Sequence, residues 1–262
     1  VKIHPTAVID PKAELGPDVA IGPFCVIDAG VVIGARTVLG PHIHVTGLTT
    51  IGEDCRIYTG AALGEPPQDV KYHDETSYLR IGNRNIIREY VTIHLAVGEG
   101  NATVLGDDNM LMAYCHVGHN CVLGSNVCMA NYVGVSGCCQ IDDRVTLGGM
   151  AGIHQNVHIG RLTMVGGYSK VTGDVPPFTM VDGRPARPYG LNAVGLRRAG
   201  FSKELRGFLK QAFRLLLHEH RNLTEALAEA RVELPPLPEV QEFLQFIELS
   251  RQSGRHLEMR HV

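Results

Sequence analysis

From Ile3 onward an aliphatic residue returns at every sixth position: Ile3, Ile9, Leu15, Ile21, Ile27, Ile33, Leu39, Val45, Ile51, Ile57 and Leu63. The same phase reappears at Ile81, Ile87 and Ile93, and then runs from Leu105 to Val171. An amphipathic helix would give spacings of three and four, and a half-buried strand a spacing of two. A period of six is a repeat architecture, and hexapeptide repeats predict a mainly β fold, a parallel β-helix of short strands. The position two before each aliphatic is small or β-branched, as at Ala7, Ala13, Val19, Cys25, Val31 and Thr37. Cys25, Cys55, Cys115, Cys121 and Cys139 fall on this inner row. They read as small core fillers, because a buried free cysteine behaves as a small hydrophobe. Glycine follows many of the aliphatics (Gly22, Gly34, Gly52, Gly82, Gly118, Gly160), which predicts tight glycine corners between strands.

Two segments break the rhythm. Residues 64–78 are polar, Pro-rich and charged, and 95–101 form a shorter interruption. Insertions in a repeat lie on its surface and often build its binding face. The repeat is expected to end at Asp174, where Asp-Val-Pro-Pro begins, and a Pro/Gly-rich passage then leads into a different composition. This predicts a β-helix over residues 1–189 and a small C-terminal α-helical domain over 190–262. In the latter, 191–199 read as helical, and Ser202 is placed to cap a helix running to about His218. Asn222 with Glu225 marks another start, Pro238 opens a last helix to about Ser250, and the tail beyond Arg251 is expected to be loose.

The charge balance is near neutral, at -3, with no basic block to neutralise phosphates, so a nucleic-acid footprint is not expected. No apolar run reaches the ~18 residues that a membrane helix needs. The N-terminal stretch VKIHPTAVID lacks the charged head and apolar core of a signal peptide, so a cytoplasmic protein without membrane insertion is expected. An odd number of cysteines with no CxxC argues against a disulfide framework or a zinc ribbon.

The chemistry concentrates in Asn109–Cys121, NMLMAYCHVGHNC, where His116 and His119 stand three apart. With three hexads per coil, residues eighteen apart stack at about 4.8 Å. His119 then lies below Gly137 and Gln155, and His116 below Gly134, Gly152 and Lys170, while His154 lies above Ser136 and Gly118. A histidine pair facing columns of glycine marks a place where something approaches the backbone closely. His4, His42, His44 and His158 read instead as solvated corner residues. Asp69 and Lys71, in the first loop, are candidates to hold a polar substrate. Lys203, Arg206, Lys210 and Arg214 on the first long helix form either a solvated face or a docking patch for an acidic partner.

The hexads, the QDVKY loop, LMAYCHVGHNC, GGMAGIHQ, the DVPP exit and LNAVGLRRAGF occur here in one order. Together they resemble the acyl-ACP:UDP-N-acetylglucosamine O-acyltransferases of lipid A biosynthesis, over almost the whole chain. The resemblance implies a left-handed β-helix, against the usual crossover hand, and a homotrimer with active sites between subunits. It implies that His119 is a general base for attack of the sugar 3-hydroxyl on a 3-hydroxyacyl-acyl carrier protein thioester. The Gly137 N–H would then stabilise the oxyanion. Asp69, Lys71, His116, His154 and Gln155 would hold the sugar nucleotide or line the acyl path, and Asn192 and Arg198 would meet the nucleotide end. Gly167 matches the place where side-chain size limits acyl length, with Tyr168 and Lys170 near enough to shorten that pocket. No metal and no cofactor beyond the carrier's phosphopantetheine thioester are implied. Three positions depart from the family pattern. Asn120 replaces an acidic residue, Cys138 a histidine, and Ala199 the second arginine of a pair. A γ-type carbonic anhydrase, which needs three zinc histidines, a CoA-dependent sugar acetyltransferase, a 3-amino sugar acyltransferase and a purely structural β-helix are the competing readings.

Overall fold

The computed structural model describes residues 1–218, 222–254 and 257. Its body is a left-handed parallel β-helix, built from three sheets of eleven, nine and eight strands. Successive short strands pass from one sheet to the next, so away from the two insertions a strand pairs in parallel with the one eighteen residues on, as in Lys2↔Ala20, Val8↔Val26 and Glu14↔Val32. In each two-residue strand the second side chain points inward. The aliphatic row and the inner row two positions before it fuse into one core, with Val19, Ile21, Cys25, Ile27, Val31 and Ile33 all buried. The five inner-row cysteines are likewise free and buried.

The corners differ from the expectation. Apart from Gly64 (φ 84°), beside the first insertion, the glycines after the aliphatics do not adopt the left-handed backbone. A Cβ on Gly34 would sit 2.5 Å from the backbone carbon of Gly52 in the next coil, so these glycines let coils approach one another. The left-handed position lies two residues further on and is mostly not glycine, as at Phe24, Arg36, Asp54, Arg84, Tyr114 and Asn120. Such a conformation costs a non-glycine residue roughly 1–2 kcal/mol. Bonds between coils offset this cost, for the Arg36 and Asp54 N–H groups donate to Pro17 and Ala35 carbonyls at 2.9 and 3.0 Å.

Two corners carry distinct columns. On one, Asp18, Arg36, Asp54, Arg84 and Asp108 alternate in sign. Arg36 forks onto Asp54 and Arg84 onto Asp108, with every donor–acceptor distance 2.7 or 2.8 Å. On another, the exposed rings of Tyr90, Tyr114 and Tyr132 stack at 5.1 and 4.9 Å. The two interruptions enlarge single coils. Ala62 pairs with Thr92 across thirty residues, and Thr92 with His116 across twenty-four.

Beyond Asp174 the chain does not leave the helix at once. Thr179–Gly183 adds one more parallel strand (Met164↔Met180) and then turns back, antiparallel, as Ala186–Leu191. The expected boundary at 189/190 falls within that last strand. Ala186 belongs to the β-helix core, and Leu191 packs on the helical cluster.

Among the described residues four α-helices follow: α1 (Ala193–Arg198), α2 (Lys203–Phe213), α3 (Leu223–Glu233) and α4 (Pro238–Gln252). Ser202 and Asn222 cap α2 and α3 through their side chains. The helix expected to reach His218 changes to a π-helical turn at Arg214. Leu215, Leu216 and Leu217 are all buried there, which a regular amphipathic face would not achieve for three consecutive residues. The expected loose tail lies mainly outside the described residues, although Leu257 is buried and bridges Asp174. Arg161 forks onto Glu242 of α4 and lies over Phe178, which ties the helices to the upper coils.

Candidate active site

His116 and His119 leave the same coil on either side of one corner, His116 from the strand His116–Val117 and His119 from the turn after it. The first loop brings Asp69 across to them. Its Oδ2 lies 3.5 Å from Nε2 of His119, and both side chains are largely buried, at 20% and 12% exposure. The Asp69 Oδ1 accepts the Lys71 N–H at 2.9 Å, so the loop fixes this carboxylate while the Lys71 side chain stands in solvent.

The other ring nitrogen decides which tautomer is present. Nδ1 of His119 lies 2.8 Å from Oδ1 of Asn120. That oxygen also accepts the Val97 N–H at 2.8 Å, and Nδ2 of Asn120 donates to the Val97 carbonyl at 3.0 Å. This double bond to one peptide unit fixes which end of the amide is oxygen. Nδ1 must therefore carry the proton, and Nε2 keeps its lone pair in the neutral ring. Asn120 takes the left-handed corner (φ 58°), which asparagine tolerates, and its N–H is held by Thr103 Oγ1. The 95–101 insertion thus supports the imidazole from behind.

Gly137 stacks directly over that imidazole. A Cβ here would lie 2.2 Å from Nε2 of His119, so only glycine admits the ring. At the charged corner the corresponding N–H groups of Asn83 and Ser125 are taken by Asp107 and Asp143 carboxylates. The Gly137 N–H has no such acceptor among the described residues, although the Gly137 carbonyl accepts from Asn156. An open donor beside a basic nitrogen is what a developing oxyanion requires.

His116 is held by Thr92, with Oγ1 2.7 Å from Nδ1, and burial pushes its pKa down, helped by the neighbouring His119. His94 meets it edge-on at 5.0 Å and is itself buried. Burial first, then His116, lowers the His94 pKa to about 4, so it is neutral at ordinary pH. His94, Thr92 and Val97 escaped the sequence reading of the site, as did the bonds by which Val97 holds Asn120. The insertion places His94 and Thr92 twenty-four residues below their neighbours rather than eighteen, which hides them from a simple coil count. A histidine at the post-aliphatic position, where the next coil has Gly118, was the available signal.

The remaining candidates are distributed around this centre. Gln155 and His154 are exposed one coil above Gly137 and Ser136. Cys138 is exposed, and burial of its thiol pushes the pKa up. Lys170 ends the row His116↔Gly134↔Gly152↔Lys170 as the coil count requires. Gly167 and Tyr168 lie round the corner from that row, where Gly167 faces only Gly149 and Tyr168 is exposed with its carbonyl bound by Arg184. Asn192 caps α1 and donates to the Leu162 carbonyl, so its side chain is engaged within the fold. Arg198 is exposed in the last turn of α1. No hydrogen bond or ion pair joins either residue to the His119 cluster among the described residues.

Two of the histidines read as solvated corner residues lie on strands and bond carboxylates. His44, its side chain 38% exposed, is bracketed by Asp28 (3.0 Å) and Glu65 (2.7 Å), and the more buried His158 bonds Asp142 (2.9 Å) and packs on Phe246. Further along, Lys203, Arg206 and Lys210 of α2 line a hollow of about 1020 Å³ with Tyr189 and Leu191. Among the described residues no group of three or more His, Cys, Asp or Glu is arranged to hold a metal, and no helix is long and apolar enough to cross a membrane.

Comparison with known proteins agrees with this geometry. Residues 102–137 match the model of the bacterial transferase hexapeptide (six repeats), and 174–256 that of the second domain of UDP N-acetylglucosamine O-acyltransferases. An acyl-[acyl-carrier-protein]–UDP-N-acetylglucosamine O-acyltransferase of Thermodesulfovibrio yellowstonii is 46% identical over 95% of this chain and 97% of its own. One from Anaeromyxobacter is 49% identical over 94% and 96%. The crystal structure of the Moraxella catarrhalis UDP-N-acetylglucosamine O-acyltransferase superposes with a TM-score of 0.93 at 40% identity, covering 98% of this chain and 99% of that one. The chain belongs to the acyl-[acyl-carrier-protein]–UDP-N-acetylglucosamine O-acyltransferase family.

Proposed function

We propose that this chain transfers a 3-hydroxyacyl group from acyl carrier protein to the 3-hydroxyl of UDP-N-acetylglucosamine, the first step of lipid A biosynthesis, with His119 as general base. The observation that carries the catalytic part is the locked His119 ring, with its lone pair on Nε2 beside the open Gly137 N–H. Nε2 takes the proton of the sugar hydroxyl as its oxygen attacks the thioester carbonyl. The Gly137 N–H donates to the oxyanion of the tetrahedral intermediate. That intermediate collapses with cleavage of the C–S bond, and the imidazolium returns its proton to the departing phosphopantetheine thiolate. No covalent enzyme intermediate, metal or further cofactor takes part in this scheme.

Asp69 and Lys71 hold the sugar, and His116, His154 and Gln155 line the path of the sugar nucleotide and acyl chain. Asn192 and Arg198 receive the nucleotide, and Gly167, Tyr168 and Lys170 border the acyl end. Among the described residues Asn192 bonds Leu162 and Gly195 rather than the His119 cluster, which supports a homotrimer whose sites lie between subunits, with the exposed tyrosine column as a candidate contact. The basic row of α2 supports docking of the acidic carrier protein there. The setting is cytoplasmic.

The test is a product assay with UDP-N-acetylglucosamine and 3-hydroxyacyl-acyl carrier proteins of several lengths, for wild type and His119→Ala. Acylated sugar nucleotide from wild type, reduced by about 10²–10⁴-fold in the variant, is expected. Absence of product at every length overturns the reading and turns attention to a 3-amino sugar or acetyl-CoA.

A further inference from the structure

The 64–78 and 95–101 insertions hold one another through their backbones. Oε1 of Glu75, in the first, accepts the Gly98 N–H of the second at 2.7 Å, while Oε2 accepts the His73 N–H at 2.7 Å. The second insertion answers in kind. Oε2 of Glu99 accepts the Thr76 N–H at 2.9 Å, and the Gly100 N–H donates to the Thr76 carbonyl at 2.8 Å. Glu75 is half-buried, and the Gly98 N–H first, then that of His73, holds its carboxyl below the usual carboxylate range. It is therefore ionised at neutral pH, and bonds to an ionised acceptor are the stronger kind.

Gly98 shares a peptide unit with the carbonyl that serves the base. That carbonyl, of Val97, accepts from Nδ2 of Asn120 at 3.0 Å and from Nδ2 of Asn101 at 2.9 Å. The N–H of the same unit is the one given to Glu75. An unbroken run of hydrogen bonds follows, from Glu75 through the Val97–Gly98 peptide to Asn120, and from Oδ1 of Asn120 to Nδ1 of His119. Gly98 itself has φ 95°, and a Cβ there would lie 2.5 Å from Nδ2 of Asn101. The peptide is thus set in a conformation that side chains rarely adopt.

The loop that supplies Glu75 also carries Asp69, whose Oδ2 lies 3.5 Å from Nε2 of His119. A carboxylate there favours a proton on Nε2, the tautomer that cannot act as a base. The Asn120 bond opposes it by keeping the proton on Nδ1. One loop therefore acts on both ring nitrogens, directly through Asp69 and at a distance through Glu75.

We propose that Glu75 is a positioning residue for the base, holding the Val97–Gly98 peptide against Asn120 so that His119 keeps its Nε2 lone pair. This rests on the acyl-transfer reading above. Turnover is measured for wild type, Glu75→Ala, Asn120→Ala and the double variant, with thermal melts to check folding. Should Glu75→Ala not fold, Glu75→Gln, whose single oxygen keeps one of the two bonds, replaces it. Glu75→Ala is expected to lower kcat about tenfold, with KM for the sugar nucleotide little changed. In the Asn120→Ala background the same substitution is expected to lower kcat by less than about twofold, because the link is already cut. Equal losses in both backgrounds would overturn the proposal. So would a raised KM with unchanged kcat, which would leave Glu75 serving the sugar-holding loop alone.

The ring is also read without turnover. In 15N-histidine-labelled protein the ring signals missing from His119→Ala identify His119. Wild type is expected to carry its proton on Nδ1, and Glu75→Ala to show a mixture of the two tautomers. A single tautomer retained in Glu75→Ala would overturn the proposal. Wild type without product from any donor would fail the acyl-transfer reading, and the ring signals would still decide the role of Glu75.

Discussion

Oδ1 of Asn120 accepts two hydrogen bonds at once, from Nδ1 of His119 and from the Val97 N–H, each at 2.8 Å. A carboxylate at this position could accept both bonds and would add a charge, but it could not donate back to the Val97 carbonyl. The amide instead fixes the ring by geometry alone. Asn120→Ala is expected to lower kcat by about 100-fold through loss of ring alignment, with KM for the sugar nucleotide little changed. Asn120→Asp is expected to move the acidic limb of the kcat/KM profile to higher pH, because an anion on Nδ1–H favours imidazolium. An acidic limb that stays in place would show that Asn120 does not face the base in solution.

Gly137→Ala tests the stacking over His119. The added methyl would begin 2.2 Å from Nε2, so the ring must swing away. A loss of about 100-fold in kcat is expected, with far-UV circular dichroism preserved. Near wild-type turnover would mean that the ring and Gly137 are not in contact during catalysis.

Asp69 faces Nε2 of His119 at 3.5 Å, where the sugar hydroxyl meets the base in the proposed scheme. Asp69→Asn is expected to raise KM for the sugar nucleotide more than it lowers kcat. An unchanged KM would rule out a role for Asp69 in holding the sugar.

His94 gives a stability prediction with a definite sign. Its pKa falls from an ordinary value of 6.5 to about 4 on folding, so between those values the unfolded chain binds the extra proton. His94 costs nothing above pH 6.5, and it destabilises the fold progressively as the pH falls from 6.5 to about 4. Melting temperature should drop over that window, and His94→Gln should flatten the drop. Identical curves for the two proteins would exclude His94 as its source.

Glu242→Ala removes the fork that Arg161 makes to α4. Both side chains are about one-third exposed, so a loss on the order of 1 kcal/mol is expected, read as a lower melting temperature with activity retained. An unchanged melt would leave the helices held by their apolar contacts alone.

The fold was largely legible in the sequence because a period of six has one structural solution and every coil repeats it. His116, His119, Gly137 and the Gly134–Gly152–Lys170 row followed from counting by eighteen, since the coils on that side of the helix are uninterrupted. Counting failed where the insertions enlarge a coil, and so His94 and Thr92 were missed. Asn120 was seen as a departure from the family pattern, but its bond to Val97 depends on a loop path that no periodicity encodes. The corner glycines were found for the wrong reason. Their spacing is visible in sequence, but whether glycine serves a turn or a close approach depends on the neighbouring coil. His44 and His158 were misread because their carboxylate partners lie sixteen and twenty-one residues away, outside the stacking interval.

A protein made of near-identical rungs faces a bookkeeping hazard during folding, since its apolar pattern cannot tell the adjacent coil from the one after it. The column Asp18, Arg36, Asp54, Arg84, Asp108 can. In correct register each sign meets its opposite, as in the forks from Arg36 to Asp54 and from Arg84 to Asp108. A slip of one rung would set Asp18 over Asp54 and Arg36 over Arg84, like upon like. The exposed corner thus acts as a parity check on assembly, penalising a mispairing that the hydrophobic interior would accept.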